Sequence, residues 1–162
     1  MKGTITSELF KEVPEIEFRI GFQYFLRNMN NYTKALMSIL KSIKSKLPLL
    51  QMMCMTDEYE GLRTITQTLR KLLVNVGATS ISESAYQLET ALLNEEGKSI
   101  HDRLVNYMNE LVDFSERLEN LIKNIEMNGT AMEQEEVSFR RIDYLKSLDR
   151  IIRSSEEERY II

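Results

Sequence analysis

The sequence predicts an all-α protein: an up-and-down four-helix bundle with an additional short N-terminal helix and an additional C-terminal helix. Six glycines and two prolines in 162 residues are too few turn-forming residues for a fold of many short strands. Apolar residues recur at helical spacing along most of the chain. The predicted helices are long and their connections short, which is typical of antiparallel bundles.

The first part of the chain predicts two short helices. Ser7 is the expected N-cap of a first helix that Pro14 ends. Aromatic residues at helical spacing then predict a second short helix that is interrupted or begins near Gly21. These residues are Phe18, Phe22 and Phe25. Asn28, Asn30 and Asn31 then offer a turn and a cap for the following helix.

A long helix is predicted from Tyr32 onward, with one apolar stripe. The stripe consists of Tyr32, Leu36, Ile39, Leu40, Ile43, Leu47 and Leu50. Pro48 lies inside it and should kink the helix or open its last turns, because proline lacks the N–H that an interior helical position donates. A loop is expected around residues 54–56.

The next helix is predicted from Asp57 to Val76, with Gly77 as its C-terminal stop. Asp57 and Glu58 would complement the positive end of its dipole. Its apolar stripe contains Leu62, Ile65, Leu69, Leu72, Leu73 and Val76.

Two further helices complete the predicted bundle. Ser80 and Glu83 form a capping box before a helix that ends near Asn94. Its core residues are Ile81, Ala85, Leu88 and Leu92. Ser99 is the expected cap of a longer helix that ends at the Asn128-Gly129 turn. The stripe of that helix is Ile100, Leu104, Met108, Leu111, Phe114, Leu118, Leu121 and Ile125.

A final amphipathic helix is predicted from about Ala131 to Arg153. Its apolar side carries Val137, Ile142, Leu145, Leu148 and Ile152. Burying such side chains is worth roughly 1.5–3 kcal/mol each, so we expect this helix to cover apolar surface, either outside the bundle or in association. We therefore assign residues 1–128 to the bundle, with its core at about 16–126, and residues 129–162 to an additional helix and tail.

Composition excludes several classes of function. The net charge of −4 argues against a protein whose main function is to bind nucleic acid. One cysteine, Cys54, and one histidine, His101, exclude an internal disulfide and any metal site with several cysteines or histidines. We expect no cofactor. The sequence contains neither a signal peptide nor a stretch long enough to span a membrane, so we expect a cytoplasmic location without a membrane partner.

Charge is unevenly distributed along the chain. Residues 19–56 carry six basic side chains and no acidic one, whereas residues 57–162 carry a net charge of −8. A basic helix beside an acidic remainder can steer an acidic partner. The alternative interpretation is a solvated lysine face without a partner.

Residues 67–93, QTLRKLLVNVGATSISESAYQLETALL, resemble a histidine phosphotransfer (HPt) domain. That family has a pattern close to His-x-Leu-Lys-Gly, then small residues, Gly-Ala and a helix that ends in Leu-Glu. The residues in register with this pattern are Leu69, Arg70, Asn75, Gly77, Ala78, Leu88 and Glu89. Upstream, the Gly21-Phe22 segment before Asn30 and Tyr32 also resembles the family, so the resemblance covers about residues 16–125.

The sequence departs from the family at the residues that carry its chemistry. Gln67 stands where the resemblance places the phosphoacceptor histidine, and Arg70 replaces the supporting lysine. Lys71 replaces the glycine that lets a receiver domain approach closely. A glutamine amide is not a nucleophile at neutral pH, so Gln67 cannot accept phosphate.

The resemblance therefore implies a protein that is not an enzyme and that binds a response-regulator receiver domain of two-component phosphorelay signalling. The expected binding face consists of Gln67, Arg63, Thr64, Arg70 and Lys71. The alternative is a structural or oligomerisation bundle that keeps the fold without a receiver partner and self-associates through helix 131–153. Phosphotransfer through His101 is a third reading, but a partly buried or capping role is expected for that residue.

Overall fold

The computed structural model of the chain describes residues 5–94 and 97–159. Within these ranges it contains seven α-helices and no strand, which confirms the predicted all-α class. The helices are α1 (Ile5–Lys11), α2 (Phe18–Tyr24), α3 (Met29–Thr56), α4 (Tyr59–Asn75), α5 (Thr79–Asn94), α6 (Gly97–Met127) and α7 (Gly129–Arg159).

Four long helices, α3 to α6, form a helical bundle. Each packs against its neighbours in the chain, and α6 packs back against α3. The predicted stripes supply most of the core, including Leu36, Leu69, Leu88 and Leu111, all fully buried. Phe10 of α1 and Met132 of α7 join the same core, so both terminal parts of the chain help to close it.

Three predicted N-caps are wrong. Ser7, Ser80 and Ser99 all lie inside helices that begin earlier in the chain. The capping box at Ser80 therefore does not form, and α5 begins at Thr79, whose hydroxyl donates to Glu17 Oε1 at 2.7 Å. Of the three asparagines predicted to offer a turn and a cap, Asn28 caps α3, since its side chain accepts from the Asn31 N–H at 3.0 Å. Asn30 and Asn31 lie inside α3, which begins at Met29 and not at Tyr32.

The predicted loop at residues 54–56 is also wrong. Helix α3 continues past Pro48 to Thr56, and Asp57, with φ of 53°, ends α3 in a left-handed conformation instead of opening α4. Leu50 is fully buried beyond Pro48, and Met53 packs against the core. This packing stabilises the last turns although Pro48 cannot donate a helical hydrogen bond.

Helix α2 closes against the end of α4. Gly77 has φ of +84°, as expected for a glycine that ends a helix, and its carbonyl accepts from the Glu17 N–H at 2.8 Å. The Tyr32 hydroxyl donates to Val76 O at 2.6 Å, and a Cβ at Gly21 would lie 2.3 Å from both atoms of that hydrogen bond. The two glycines therefore allow three segments to meet without side chains between them.

The first turns of α7 pack on the rest of the protein. Met132 is buried, and the Glu135 carboxylate accepts from the backbone of Ile5 at 2.7 Å and from the backbone and hydroxyl of Thr6. The predicted stripe does not pack on the bundle, because Ile142, Leu145, Leu148 and Ile152 are exposed. The Val137 side chain lies outside what the structure describes. No helix in residues 5–94 and 97–159 is long and apolar enough to cross a membrane.

Candidate functional site

Gln67 lies near the middle of α4 and faces solvent. The opposite side of α4 is held in the core by Leu62, Leu69 and Leu73, all fully buried. Because successive helical residues turn by about 100°, Gln67 points about 200° away from Leu69, two positions along the chain. The core stripe of α4 therefore determines the outward direction of the glutamine.

Three of the other predicted site residues share this surface with Gln67. Arg63, Thr64 and Lys71 lie four positions before, three before and four after it, and all three are exposed. The Thr64 hydroxyl donates to Glu60 O at 3.0 Å within its own helix. In the part of the chain that the structure describes, neither Arg63 nor Lys71 has an ion-pair partner. We call the surface of Arg63, Thr64, Gln67 and Lys71 the Gln67 face.

Arg70 differs from the other predicted site residues, because it turns toward α5. Its Nε donates to Glu89 Oε2, and its Nη2 lies 3.4 Å from Glu89 Oε1. Its guanidinium carbon lies 5.8 Å from the centre of the Tyr86 ring. The Glu89 side chain is only 10% exposed and that of Arg70 28%. The charge of Arg70 is thus matched within the protein, and this residue supports α4 on α5 from the edge of the Gln67 face.

Sequence reasoning missed the role of Glu89. The residue follows core Leu88 and lies four positions after core Ala85, so it stands at the edge of the buried side of α5. A carboxylate there requires a cation, since an unpaired charge is costly to bury. That signal was present in the sequence, but it does not identify Arg70, nineteen residues away, as the partner.

The core side of α4 also contains a threonine that the apolar pattern did not predict. Thr66 is fully buried, whereas Ile65, assigned to the core stripe, is only partly buried. The Thr66 hydroxyl donates to Leu62 O at 2.7 Å. This bond satisfies the hydroxyl inside the helix, so a polar residue can occupy a core position.

The Gln67 face carries groups that can bind a partner, and the Gln67 amide at its centre is not a nucleophile at neutral pH. The Gln67 side chain both donates and accepts hydrogen bonds. Arg63 and Lys71 add two positive charges on either side of it along the helix. Such an arrangement suits a protein surface that presents carboxylates, because opposite charges across an interface favour encounter and specificity.

His101 does not join this face. It is exposed and lies five residues into α6, so the expected partly buried or capping role is wrong. Its Nδ1 lies 3.9 Å from Cys54 Sγ at the end of α3. Across the described ranges, no group of three histidine, cysteine, aspartate or glutamate side chains is placed to hold a metal ion. The Cys54–His101 contact thus remains a pair.

Comparison with known proteins does not assign a family. The chain matches no protein-family model, and no curated protein or solved structure is similar enough to count as a match. The geometry of the Gln67 face and the residues of the HPt pattern are therefore the basis for a functional proposal.

Proposed function

We propose that this chain is a non-catalytic, HPt-like protein of two-component phosphorelay signalling that binds a response-regulator receiver domain without accepting phosphate. The observation that carries the proposal is the Gln67 face itself: an exposed glutamine at the position of the family's phosphoacceptor, flanked by Arg63 and Lys71 without ion-pair partners in the described ranges.

The placement of the other pattern residues supports the HPt-like reading. Gly21 and Gly77, both part of the resemblance, meet at one junction with Tyr32, where no larger side chain fits at Gly21. Arg70 and Glu89, also part of the pattern, pair across α4 and α5. Residues that are far apart in the sequence pattern thus contact one another, as expected if the pattern reflects a shared fold.

The choice of a receiver domain as partner rests on charge and on the resemblance. A receiver's phosphorylation pocket is built from carboxylates, so its rim should be attracted to Arg63 and Lys71. Lysine can extend around a contact and place its charge at that rim. The same long side chain hinders the close approach that transfer of phosphate requires.

The proposal is tested by measuring binding to receiver domains of the source organism, with and without an aspartyl-phosphate mimic. We expect at least one receiver to bind in a salt-sensitive manner. Arg63→Glu and Lys71→Glu should each weaken the complex by about 1 kcal/mol or more. Lys123→Glu, an exposed charge reversal on α6, is the matched control and should leave affinity unchanged.

A second candidate function is a structural or oligomerisation bundle with no receiver partner. It is favoured by the exposed apolar side chains of α7, which lie away from the bundle core. If no receiver binds, this second function replaces the first. If a receiver binds equally well to the charge-reversed variants, the docking surface lies elsewhere on the chain.

A further inference from the structure

A groove between α3 and α6 combines an apolar floor with lysine side chains from both helices. Its volume is about 550 Å³. The apolar part consists of Met37 and Leu40 of α3 and Ile122 of α6. Ile122 is buried and Leu40 packs against the core, so the packing of the bundle fixes the floor, whereas Met37 is 46% exposed and opens it to solvent. We call this surface the α3–α6 groove.

The lining residues of α3 share one side of that helix. Met37, Leu40, Lys41 and Lys44 are spaced i, i+3, i+4 and i+7, which places side chains on one helical face. From the first to the last of them the helix rises about 10 Å, at 1.5 Å per residue. The groove therefore extends along about two helical turns.

The α3–α6 groove carries more positive than negative charge. Lys41 and Lys44 of α3 and Lys123 of α6 line it, and among its described lining residues Glu119 is the only acidic one. Lys44 Nζ lies 3.2 Å from Glu119 Oε1, so this pair joins the two helices. Lys41 and Lys123 are exposed and have no ion-pair partner in residues 5–94 and 97–159. One unpaired lysine from each helix is thus placed to meet the carboxylates of a partner.

This placement bears on the two interpretations of the basic segment at residues 19–56. A solvated lysine face needs no apolar surface beside it. Here Lys41 follows Leu40 directly and lies four positions after Met37, which is large, apolar and nearly half exposed. The concave apolar floor between unpaired lysines favours an acidic partner over a solvated face.

We propose that the α3–α6 groove binds an acidic amphipathic helix of a partner protein. Apolar side chains of that helix, spaced i, i+3 or i+4, and i+7, would pack on the apolar floor, as in other helix-in-groove complexes. Glutamate or aspartate on its two flanks would pair with Lys41 and Lys123. A small anion would leave much of this open groove in water, whereas a helix covers its whole length. Because the Gln67 face lies on α4, this partner is distinct from the proposed receiver domain.

The first experiment measures the binding of a fluorescently labelled synthetic peptide to the full chain by fluorescence anisotropy. The peptide, of about 18 residues, carries leucine along one helical face and glutamate on both flanks. One control peptide has lysine in place of each glutamate. A second control has the same composition in an order that distributes the leucines around the helix. We expect the acidic amphipathic peptide to bind at least about tenfold more tightly than either control.

Two variants of the chain separate the charge from the apolar contact. Lys41→Glu should weaken peptide binding by about tenfold, and the loss should shrink at high salt. Met37→Gln, a neutral change of similar length, should weaken it by about fivefold at low and high salt alike. Lys98→Glu is the matched control, because this exposed lysine of α6 lies 25 positions before Lys123, about 37 Å along the helix. It should leave binding unchanged, and circular dichroism establishes that all three variants are folded.

Several outcomes would overturn the proposal. Absence of binding by the acidic amphipathic peptide is one, and equal binding by either control peptide is another. Equal weakening by Lys41→Glu and Lys98→Glu would show that net charge alone attracts the peptide, and an unchanged affinity in Met37→Gln would show that the apolar floor takes no part. Phosphatidylglycerol vesicles test the remaining alternative: a chain that binds these vesicles but not the peptide has a groove that faces lipid instead of a protein helix.

Discussion

Two buried tyrosines show how the stability of this protein depends on individual polar atoms. The Tyr32 hydroxyl donates to Val76 O at 2.6 Å. Tyr107 is equally buried, but its hydroxyl meets no hydrogen-bond partner among the described residues. Burial raises the pKa of both phenols above the ordinary value of 10.0, and Glu89 and Glu110 act in the same direction on Tyr107. Both side chains therefore remain neutral near neutral pH.

Removing the two hydroxyls should have different effects. Tyr32→Phe should lower the free energy of unfolding by about 1 kcal/mol or more, because the buried carbonyl oxygen of Val76 would lose its hydrogen-bond donor. Tyr107→Phe should be neutral or slightly stabilising, since no bond is lost and a desolvated hydroxyl is removed. Urea unfolding of the two variants measures the difference. Equal losses would contradict this account of the two sites.

Arg70 is expected to support stability more than binding. Arg70→Met leaves the nearly buried Glu89 carboxylate without its cation and should cost about 1–3 kcal/mol of unfolding free energy. Arg63→Met, on the same helix but exposed and without an ion-pair partner in the described ranges, is the control and should change stability by less than about 0.5 kcal/mol. Thermal or urea unfolding compares them. A negligible loss for Arg70→Met would mean that the pair with Glu89 contributes little.

If the proposed function is right, a histidine placed at position 67 should not by itself create phosphate relay. In Gln67→His the imidazole would stand on the exposed side of α4, but Lys71, one turn away, would still hinder the approach of a receiver. The double variant Gln67→His/Lys71→Gly should accept more phosphate than the single one. Acid-labile labelling after incubation with a phosphorylated receiver measures both. Equal labelling of the two variants would show that Lys71 is no obstacle.

At the scale of the helices, we expect the junction of α2, α3 and α4 to be sensitive to substitution. Gly21→Ala would bring a methyl group into contact with Tyr32 and the backbone of Val76, so we expect a loss of about 1–3 kcal/mol. Gly97→Ala is the matched control, since no side-chain or backbone atom of another element among the described residues lies within 4 Å of the added carbon. It should be neutral or stabilising, because alanine is the better helix former. A neutral Gly21→Ala variant would mean that the junction can open without cost.

The helices also show which features could be predicted from the sequence. Core residues such as Leu69 and Leu111 followed from periodicity, because burial of one helical side is what produces the pattern. The helix starts could not be predicted from Ser80 and Ser99. Tertiary contacts such as the hydrogen bond from Thr79 to Glu17 stabilise earlier starts than the local capping residues indicate. The end of α3 was missed for a related reason: buried Leu50 outweighs the effect of Pro48.

For the candidate site, the outward direction of Gln67 followed from the sequence, since it depends only on the turn of one helix. The pairing of Arg70 with Glu89 did not, because it depends on the register between α4 and α5. The exposure of the apolar side chains in the second half of α7 depends on the whole molecule. A stripe of apolar residues indicates that this side of a helix packs against another surface. It does not identify whether that surface belongs to the same chain or to another.

At the scale of the whole molecule, the Gln67 face and the exposed apolar side chains of α7 are separate surfaces. The Gln67 face lies on α4 within the bundle, whereas the exposed apolar side chains lie in the second half of α7. Leu148→Asp should therefore leave receiver binding intact, and a loss of receiver binding in this variant would mean that α7 takes part in the docking surface.

The central claim, binding without transfer, is tested most directly by mixing the wild-type chain with a receiver domain that carries a labelled aspartyl phosphate. Complex formation and the location of the label are then measured in the same sample. We predict a complex in which all of the label stays on the receiver, with none in acid-labile form on this chain. Label on this chain, including label that disappears in His101→Ala, would contradict the claim, and so would the absence of any complex.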